Sequence, residues 1–398
     1  MASRDEINTS EEPAHSAFMA KDLIESFLNA EDLELELDSI ILKRCLSLNS
    51  VVSMASFFNC RSQTVNIYSD RQEVNQIGSG LQGAIFEVVG QTDVFKKEHP
   101  GNELRSSNLQ REFRTHCNVS AAFELYKTTT FSVVKVPKPK NFVPKAQREW
   151  FWVFILPNLP QDYRTRGDVI TMDRILPLPK IVRRALLTFF YAGENPRPCN
   201  ESEVERLHNN KENKHCLARV YLGKGNGSYN QGNPAPLRNF PLYLDSMKAL
   251  DMDTLVLAKE MGKAYAIMHW GAATNGDDVE FVLGTSALKR PADSEHIDRP
   301  NVQHRAIGLY LLDFGQCEAV DLTRDCDVVY QEFKGAMVMG DNQLFIPHVS
   351  KSPELFATFK KGYIDAGNVI LSDKKLNGKF SMEDFMQEYE EYAEDFVY

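Results

Sequence analysis

Gly78-Ser79-Gly80-Leu81-Gln82-Gly83-Ala84-Ile85 opens a series of motifs that continues through Val94-Phe95-Lys96, Glu112 and Leu311-Leu312-Asp313-Phe314-Gly315. The glycine stretch precedes two alternating runs, Ala84 to Val89 and Asp93 to Lys96, that read as strands. Gly78, Gly80 and Gly83 have the Gly-x-Gly-x-x-Gly spacing that lets backbone amides approach a phosphate, although a glycine-rich hairpin turn gives the same letters. Lys96 is chosen over Lys97 by the alternation of its strand, a solvated pair of lysines being the plain alternative. Glu112 falls in a helix expected over Leu104 to Phe123, with Leu109, Phe113, Cys117 and Ala121 along its apolar face.

That order of glycine loop, strand lysine, helix glutamate and Asp-Phe-Gly resembles a protein kinase, in which the last aspartate holds magnesium against the phosphates. The resemblance implies an α+β, protein-kinase-like two-lobed fold with a small β-rich N-lobe and a larger helical C-lobe. Residues 1–60 are expected to be a tail with amphipathic helices, 61–160 the β-rich lobe, and 161–398 a mainly helical lobe carrying an acidic site. Thr64 to Tyr68, Phe131 to Val136 and Trp150 to Leu156 are expected as further strands, and Ile181 to Tyr191 and Thr254 to His269 as helices. Gly223 to Pro236 is expected as a flexible loop, Thr285 to Arg305 as a polar insertion, and Met382 to Tyr398 as a solvated helix or tail.

Kinase chemistry fits less well. The catalytic loop of kinases places its base two residues after a histidine and an asparagine five residues beyond that base; after His269 these positions are Gly271 and Gly276. The loop is acidic instead: His269-Trp270 leads into Asp277-Asp278-Val279-Glu280-Phe281-Val282-Leu283-Gly284. Asp277, Asp278 and Glu280 would suit a guanidinium or ammonium group, and crowded carboxylates raise one another's proton affinity, leaving one as acid or base. His269 is grouped with them as a candidate catalytic side chain. A solvated turn capped by Asp277 is the alternative. Cys317 and Ser286 are nucleophile candidates by residue type only.

The 398 residues carry 43% hydrophobic content and a formal charge of -10, which supports a packed core and argues against a general nucleic-acid binder. Basic side chains nevertheless cluster at Lys135, Lys138, Lys140, Lys145 and Arg148, a candidate contact for RNA phosphates. Seven cysteines without a Cys-x-x-Cys pair fit reduced thiols in a cytoplasmic protein, and neither a signal peptide nor a membrane span is expected. Cys199, His208, His215 and Cys216 invite a zinc reading, but the polar segment holding them reads better as a solvated loop, so no metal is expected there.

The stretch from His269-Trp270 to Gly284, together with Leu311-Leu312-Asp313-Phe314-Gly315-Gln316-Cys317, resembles a fungal family catalogued as a domain of unknown function. Some of its members are arginine-containing cyclodipeptide synthases in biosynthetic clusters for natural products. The resemblance covers about residues 70 to 350. It implies a tRNA-dependent aminoacyltransferase that joins arginine from arginyl-tRNA to a second amino acid from its own tRNA and closes a cyclo(Arg-Xaa) diketopiperazine. It further implies no required cofactor, two charged tRNAs as partners, no DNA, and Asp277, Asp278 and Glu280 as the acidic motif. Lys96, Glu112, Asp313, Gly78, Gly80 and Gly83 would then bind substrate. The alternative is an ATP-dependent small-molecule kinase using Mg, or a kinase-like binding module.

Overall fold

The computed structural model describes residues 27–48, 50–55, 73–100, 106–147, 149–191, 201–227, 229, 235–287 and 302–396. The expected N-terminal tail, the strand at Thr64 to Tyr68, Cys199, Arg148 and the centre of the 285–305 insertion lie outside these residues. The fold is mixed α+β and contains two sheets. Strands are β1 (Phe27–Asn29), β2 (Val51–Ala55), β3 (Val74–Ser79), β4 (Gly83–Val88), β5 (Asp93–Glu98), β6 (Pro139–Val143), β7 (Val169–Asp173), β8 (Ala218–Tyr221), β9 (Phe240–Tyr243), β10 (Glu280–Ala287) and β11 (Val302–Leu312). Helices are α1 (Ala30–Leu33), α2 (Asp38–Cys45), α3 (Ser106–Tyr126), α4 (Glu149–Ile155), α5 (Lys180–Leu186), α6 (Glu201–Asn209), α7 (Leu244–Ala249), α8 (Thr254–Ala266), α9 (Cys326–Met337), α10 (Asn342–Phe345), α11 (Pro353–Asp373) and α12 (Met382–Ala393).

The smaller sheet is antiparallel, in the order β3-β4-β5-β7-β6, with its own apolar cluster of Phe86, Phe95, Trp152, Val169 and neighbours. Because β7 lies between β5 and β6, this sheet extends past residue 160, the boundary expected from sequence. Trp150 to Leu156 is not a strand: Glu149 opens helix α4, which buries Trp152 and Ile155 and exposes Trp150, Val153 and Phe154. Phe131 to Val136 is not a ladder strand either. Only Lys135 pairs with β11, donating to Leu309 and accepting from Leu311, and Pro137 lacks the donor to continue.

The larger sheet runs β1-β2-β11-β10-β8-β9, and it takes β1 and β2 from the N-terminal segment, whose residues around Ile40 and Ile41 form helix α2 as expected. Leu28, Ile41, Leu42 and Val52 belong to the main core. The β10 and β11 strands pair from Glu280↔Leu312 to Ala287↔Arg305, so the ends of the expected polar insertion are strand. Helices α8 and α11 cross closely at Gly262 and Gly362, where a Cβ on either would run into the other helix's carbonyl oxygens. Helix α12 is amphipathic rather than solvated, with Phe385, Met386 and Tyr389 buried. Leu176 and Thr285 exchange two backbone hydrogen bonds (2.8 and 3.0 Å), so the segment leaving the small sheet is stitched to β10 of the large one.

Candidate functional site

A single cleft of about 190 Å³ is lined by Gly78, Gly80, Lys96, Glu112, Glu280 and Asp313, six residues expected as site residues from sequence. Its other walls include His116, Asp173, Arg174, His215, Arg219 and Asn239. Lys96 on β5 donates to both oxygens of Glu112 on α3 (2.7 and 2.9 Å) and to Asp313 Oδ1 after β11 (3.2 Å). Lys96 and Glu112 are only 4% and 3% exposed while the Asp313 side chain is 30% exposed, so a buried ion pair on β5 and α3 reaches a partly exposed carboxylate at the end of β11. Burial opposes the Lys96 ammonium, but the charges of Asp313 and Glu112 prevail and hold it more basic than an ordinary lysine. Lys97, expected to be as exposed as Lys96, is fully buried beside Tyr163, its Nζ 5.8 Å from the ring centre.

The glycine loop is clasped rather than open. Gly80 donates its N–H to Gly83 O (2.9 Å), His99 reaches Gly80 O (2.8 Å), and the Gln82 amide donates to Gly315 O. Gly83 is not in the cleft; it pairs with Glu98, and a Cβ there would collide with the Lys97 backbone. Its glycine therefore serves strand packing.

The acidic turn is built from below. His269 lies in the π-helical turn Ile267–Gly271 that continues α8, is fully buried and stacks on Phe333 (4.3 Å). Trp270 Nε1 donates to Tyr363 OH (2.8 Å), which leaves that hydroxyl to donate to His269 Nδ1 (2.8 Å), so the His269 Nε2–H faces Asn275 O (3.1 Å). Burial pushes the His269 pKa down to about 3, so it stays neutral. The catalytic role expected for His269 is therefore corrected: it never reaches the cleft and it positions the turn. Asn342 adds a hydrogen bond to Gly276 O (2.8 Å), the Cys317 thiol donates to Asp277 O (3.2 Å), and the Asp341 N–H donates to Asp278 Oδ1 (3.3 Å). Burial pushes the Cys317 thiol well above its usual range, which removes it as a nucleophile. Ser286 is removed too, since it receives Lys135 Nζ (3.1 Å) away from the cleft.

The three carboxylates are not equivalent. Asp277 and Asp278 are partly buried in the turn and do not line the cleft; Glu280, first residue of β10, does. Burial raises all three, Glu280 to about 7, where Asp313, Asp341 and Asp278 add repulsion and Arg219 opposes it. Asp278 and Asp313 have left-handed backbone (φ 56 and 62), a strained conformation for aspartate that clusters at functional sites.

Arg219 on β8 is the residue sequence reading missed. It forms an ion pair with Glu280, lies 3.7 Å from Asp341 and donates to Tyr221 OH (3.3 Å). Its signal is the alternation Ala218-Arg219-Val220-Tyr221, with the arginine between buried apolar positions. His116, also missed, follows Glu112 by four residues and therefore shares its helix face; burial holds it neutral, pushed down to about 4.

Of the basic cluster, the described lysines Lys135, Lys138, Lys140 and Lys145 are all exposed, and two of them have partners within the chain. Lys140 is paired with Asp173 (2.8 Å) and Asp93, and Lys135 lies over the Tyr310 ring (5.6 Å). His208 and Cys216 are buried and His215 lines the cleft, which corrects the solvated loop expected there. Among the described residues no group of His, Cys, Asp and Glu is placed to hold a metal ion. No helix among them is long and apolar enough to cross a membrane. No protein-family model matches the chain, and no curated protein matches it.

Proposed function

We propose that the protein is a cytoplasmic, tRNA-dependent cyclodipeptide synthase on a kinase-like two-lobed scaffold, making cyclo(Arg-Xaa) from arginyl-tRNA and a second aminoacyl-tRNA in fungal secondary metabolism. The observation that carries this reading is Glu280, a cleft carboxylate ion-paired with Arg219 and raised to about 7 by burial, at a site where the position of the kinase base is Gly271. At the position of the kinase base, Gly271 faces Ala122 and Tyr126 of α3, where a Cβ would sit 3.2 to 3.3 Å from those side chains. The scaffold reading is supported by the Lys96–Glu112–Asp313 triad between a five-stranded sheet and a helical body.

The chemistry needs neither ATP nor metal because an aminoacyl ester is already activated. The amine of one aminoacyl group attacks the ester carbonyl of the other; the C–N bond forms, the C–O bond to ribose breaks, and the amine proton passes through Glu280 to the departing ribose oxygen. A second, intramolecular attack of the same kind closes the ring and frees the other tRNA. The cleft offers four carboxylates, Glu112, Asp173, Glu280 and Asp313, against three cations, Lys96, Arg174 and Arg219, a balance that favours a cationic side chain. Since Arg219 already pairs with Glu280, substrate arginine would compete with or replace that contact.

A second reading, an ATP-dependent small-molecule kinase or binding module, is favoured by the same triad lying beside the glycine loop. In the linker between the sheets the N–H groups of Asp173, Arg174, Leu176 and Leu178 go to Lys138, Thr92, Thr285 and Cys216, so Ile175, a wall of the cleft, is the linker position at which a nucleotide base would have to be met. Purified protein incubated with charged tRNAs, with and without ribonuclease, and assayed by mass spectrometry separates the two. A ribonuclease-sensitive cyclic arginine dipeptide supports the synthase; no such product with any second amino acid, together with ATP turnover abolished by Asp313→Ala, supports the kinase.

A further inference from the structure

Next to the cleft lies a second cavity, larger at about 280 Å³, and Asn239 lines both. Asn239 has left-handed backbone (φ 50) immediately before β9, so the chain turns at the residue that the two spaces share. A hydrogen-bonded path also joins them: Glu280 pairs with Arg219 in the cleft, and Arg219 donates to the hydroxyl of Tyr221, a wall of the second cavity.

The two spaces differ in chemistry. Whereas four carboxylates line the cleft, no carboxylate lines the second cavity among the described residues, and its two charged side chains, Lys224 and Arg238, are both cations. Lys224 sits 5.9 Å over the Tyr243 ring and Arg238 is 3.4 Å from Glu212, so each already has a partner. The remaining wall is aromatic. Phe190 stacks on Tyr229 (4.8 Å, 25°), Tyr229 on Phe240 (5.4 Å, 22°), and Tyr221 meets Tyr243 at 5.7 Å. Tyr229 is fixed by a 2.6 Å hydrogen bond between its hydroxyl and Ser246, so the stack is preorganised. A cationic side chain would meet like charge here, whereas a flat uncharged ring would find faces and edges of other rings.

We infer that this cavity receives the aromatic side chain of the second aminoacyl group, which sets the substrate class as arginine in the cleft plus phenylalanine, tyrosine or tryptophan beyond Asn239. The inference rests on the synthase reading for its reaction, but the cavity can be tested without turnover. Two measurements on the full chain do this. In the first, purified protein receives tRNAs charged with all twenty amino acids, and the second residue of each cyclic arginine dipeptide is identified by mass spectrometry. An aromatic second residue is expected, with Phe190→Ala and Tyr229→Ala each lowering that product about tenfold, the loss of one stacking ring. A non-aromatic second residue unaffected by either variant overturns the inference while leaving the synthase intact. In the second, L-tyrosinamide and L-argininamide are titrated into the protein by calorimetry. Tyrosinamide affinity should fall about tenfold in Phe190→Ala and Tyr229→Ala while argininamide affinity stays put. If no dipeptide forms at all, the synthase reading fails; tyrosinamide binding with that variant dependence still supports the cavity assignment, and its absence overturns it.

Discussion

Replacing Glu280 with glutamine tests the electrostatic account of the cleft without reference to any substrate. Burial raises the Glu280 carboxyl from 4.5 in the unfolded chain to about 7 in the folded one. A carboxyl raised on folding binds its proton more tightly in the native state, so its contribution is fully present below pH 4.5 and is lost as pH rises through about 7. At about 1.4 kcal/mol per tenfold in proton affinity the total is about 3 kcal/mol, of which about 2.5 kcal/mol falls between pH 5 and pH 8. Glu280→Gln mimics the protonated acid and has no such loss. Urea unfolding of both proteins across that range should therefore show the variant gaining about 2.5 kcal/mol on the wild type, with unchanged slope in denaturant. Taking the difference cancels every titrating group that is not coupled to Glu280, which leaves Arg219, Asp278, Asp313 and Asp341 as its coupled neighbours. A difference independent of pH, or a wild type that gains on the variant as pH rises, would mean that the Arg219 ion pair outweighs burial and that Glu280 is an ordinary structural carboxylate.

Further expectations follow from the same geometry. Lys96→Met leaves Glu112 buried without its cation and should cost about 3–5 kcal/mol in urea unfolding, much of it recovered in Lys96→Met/Glu112→Leu, where neither fully buried charge remains and only the partly exposed Asp313 loses its partner. Gly271→Asp should not create phosphotransfer, because its side chain would press on Tyr126 and Ala122; a loss of about 1–3 kcal/mol and no ATP turnover are expected. Burial holds His116, His208 and His215 down at about 4 and His269 at about 3, so unfolding below pH 6.5 takes up protons. Stability should consequently fall steeply from pH 6.5 towards pH 4, as thermal melts across that range would show.

Several residues of the cleft were easier to find in the sequence than the elements that hold them. Lys96, Glu112 and Asp313 were legible because the glycine loop, strand lysine, helix glutamate and Asp-Phe-Gly follow one another in the order of a protein kinase, and the three do meet. The face of α3 was read wrongly because only its apolar letters were followed. Its buried stripe runs Leu109, Glu112, His116, Val119, Phe123 and Tyr126, whereas Ala121, placed on the apolar face, is exposed. Two polar residues on that stripe disguised it. Trp150 to Leu156 misled because an unbroken apolar run has no period with which to separate strand from helix. The short strands β1, β2, β8 and β9 gain their stability from pairing with distant segments, which leaves little trace in their own letters. His269 looked catalytic because a histidine before carboxylates is a common acid–base arrangement, but its full burial shows a support for the turn instead.

The most direct test of the central claim is the formation of cyclic arginine dipeptide from isotope-labelled arginyl-tRNA and a pool of other charged tRNAs, without ATP, by wild type and Glu280→Gln. The account predicts labelled product from the wild type, rising with pH through about 7 as Glu280 ionises, and at least about a hundredfold less from a variant that remains folded. Labelled product formed equally by both proteins, or by neither, would contradict it.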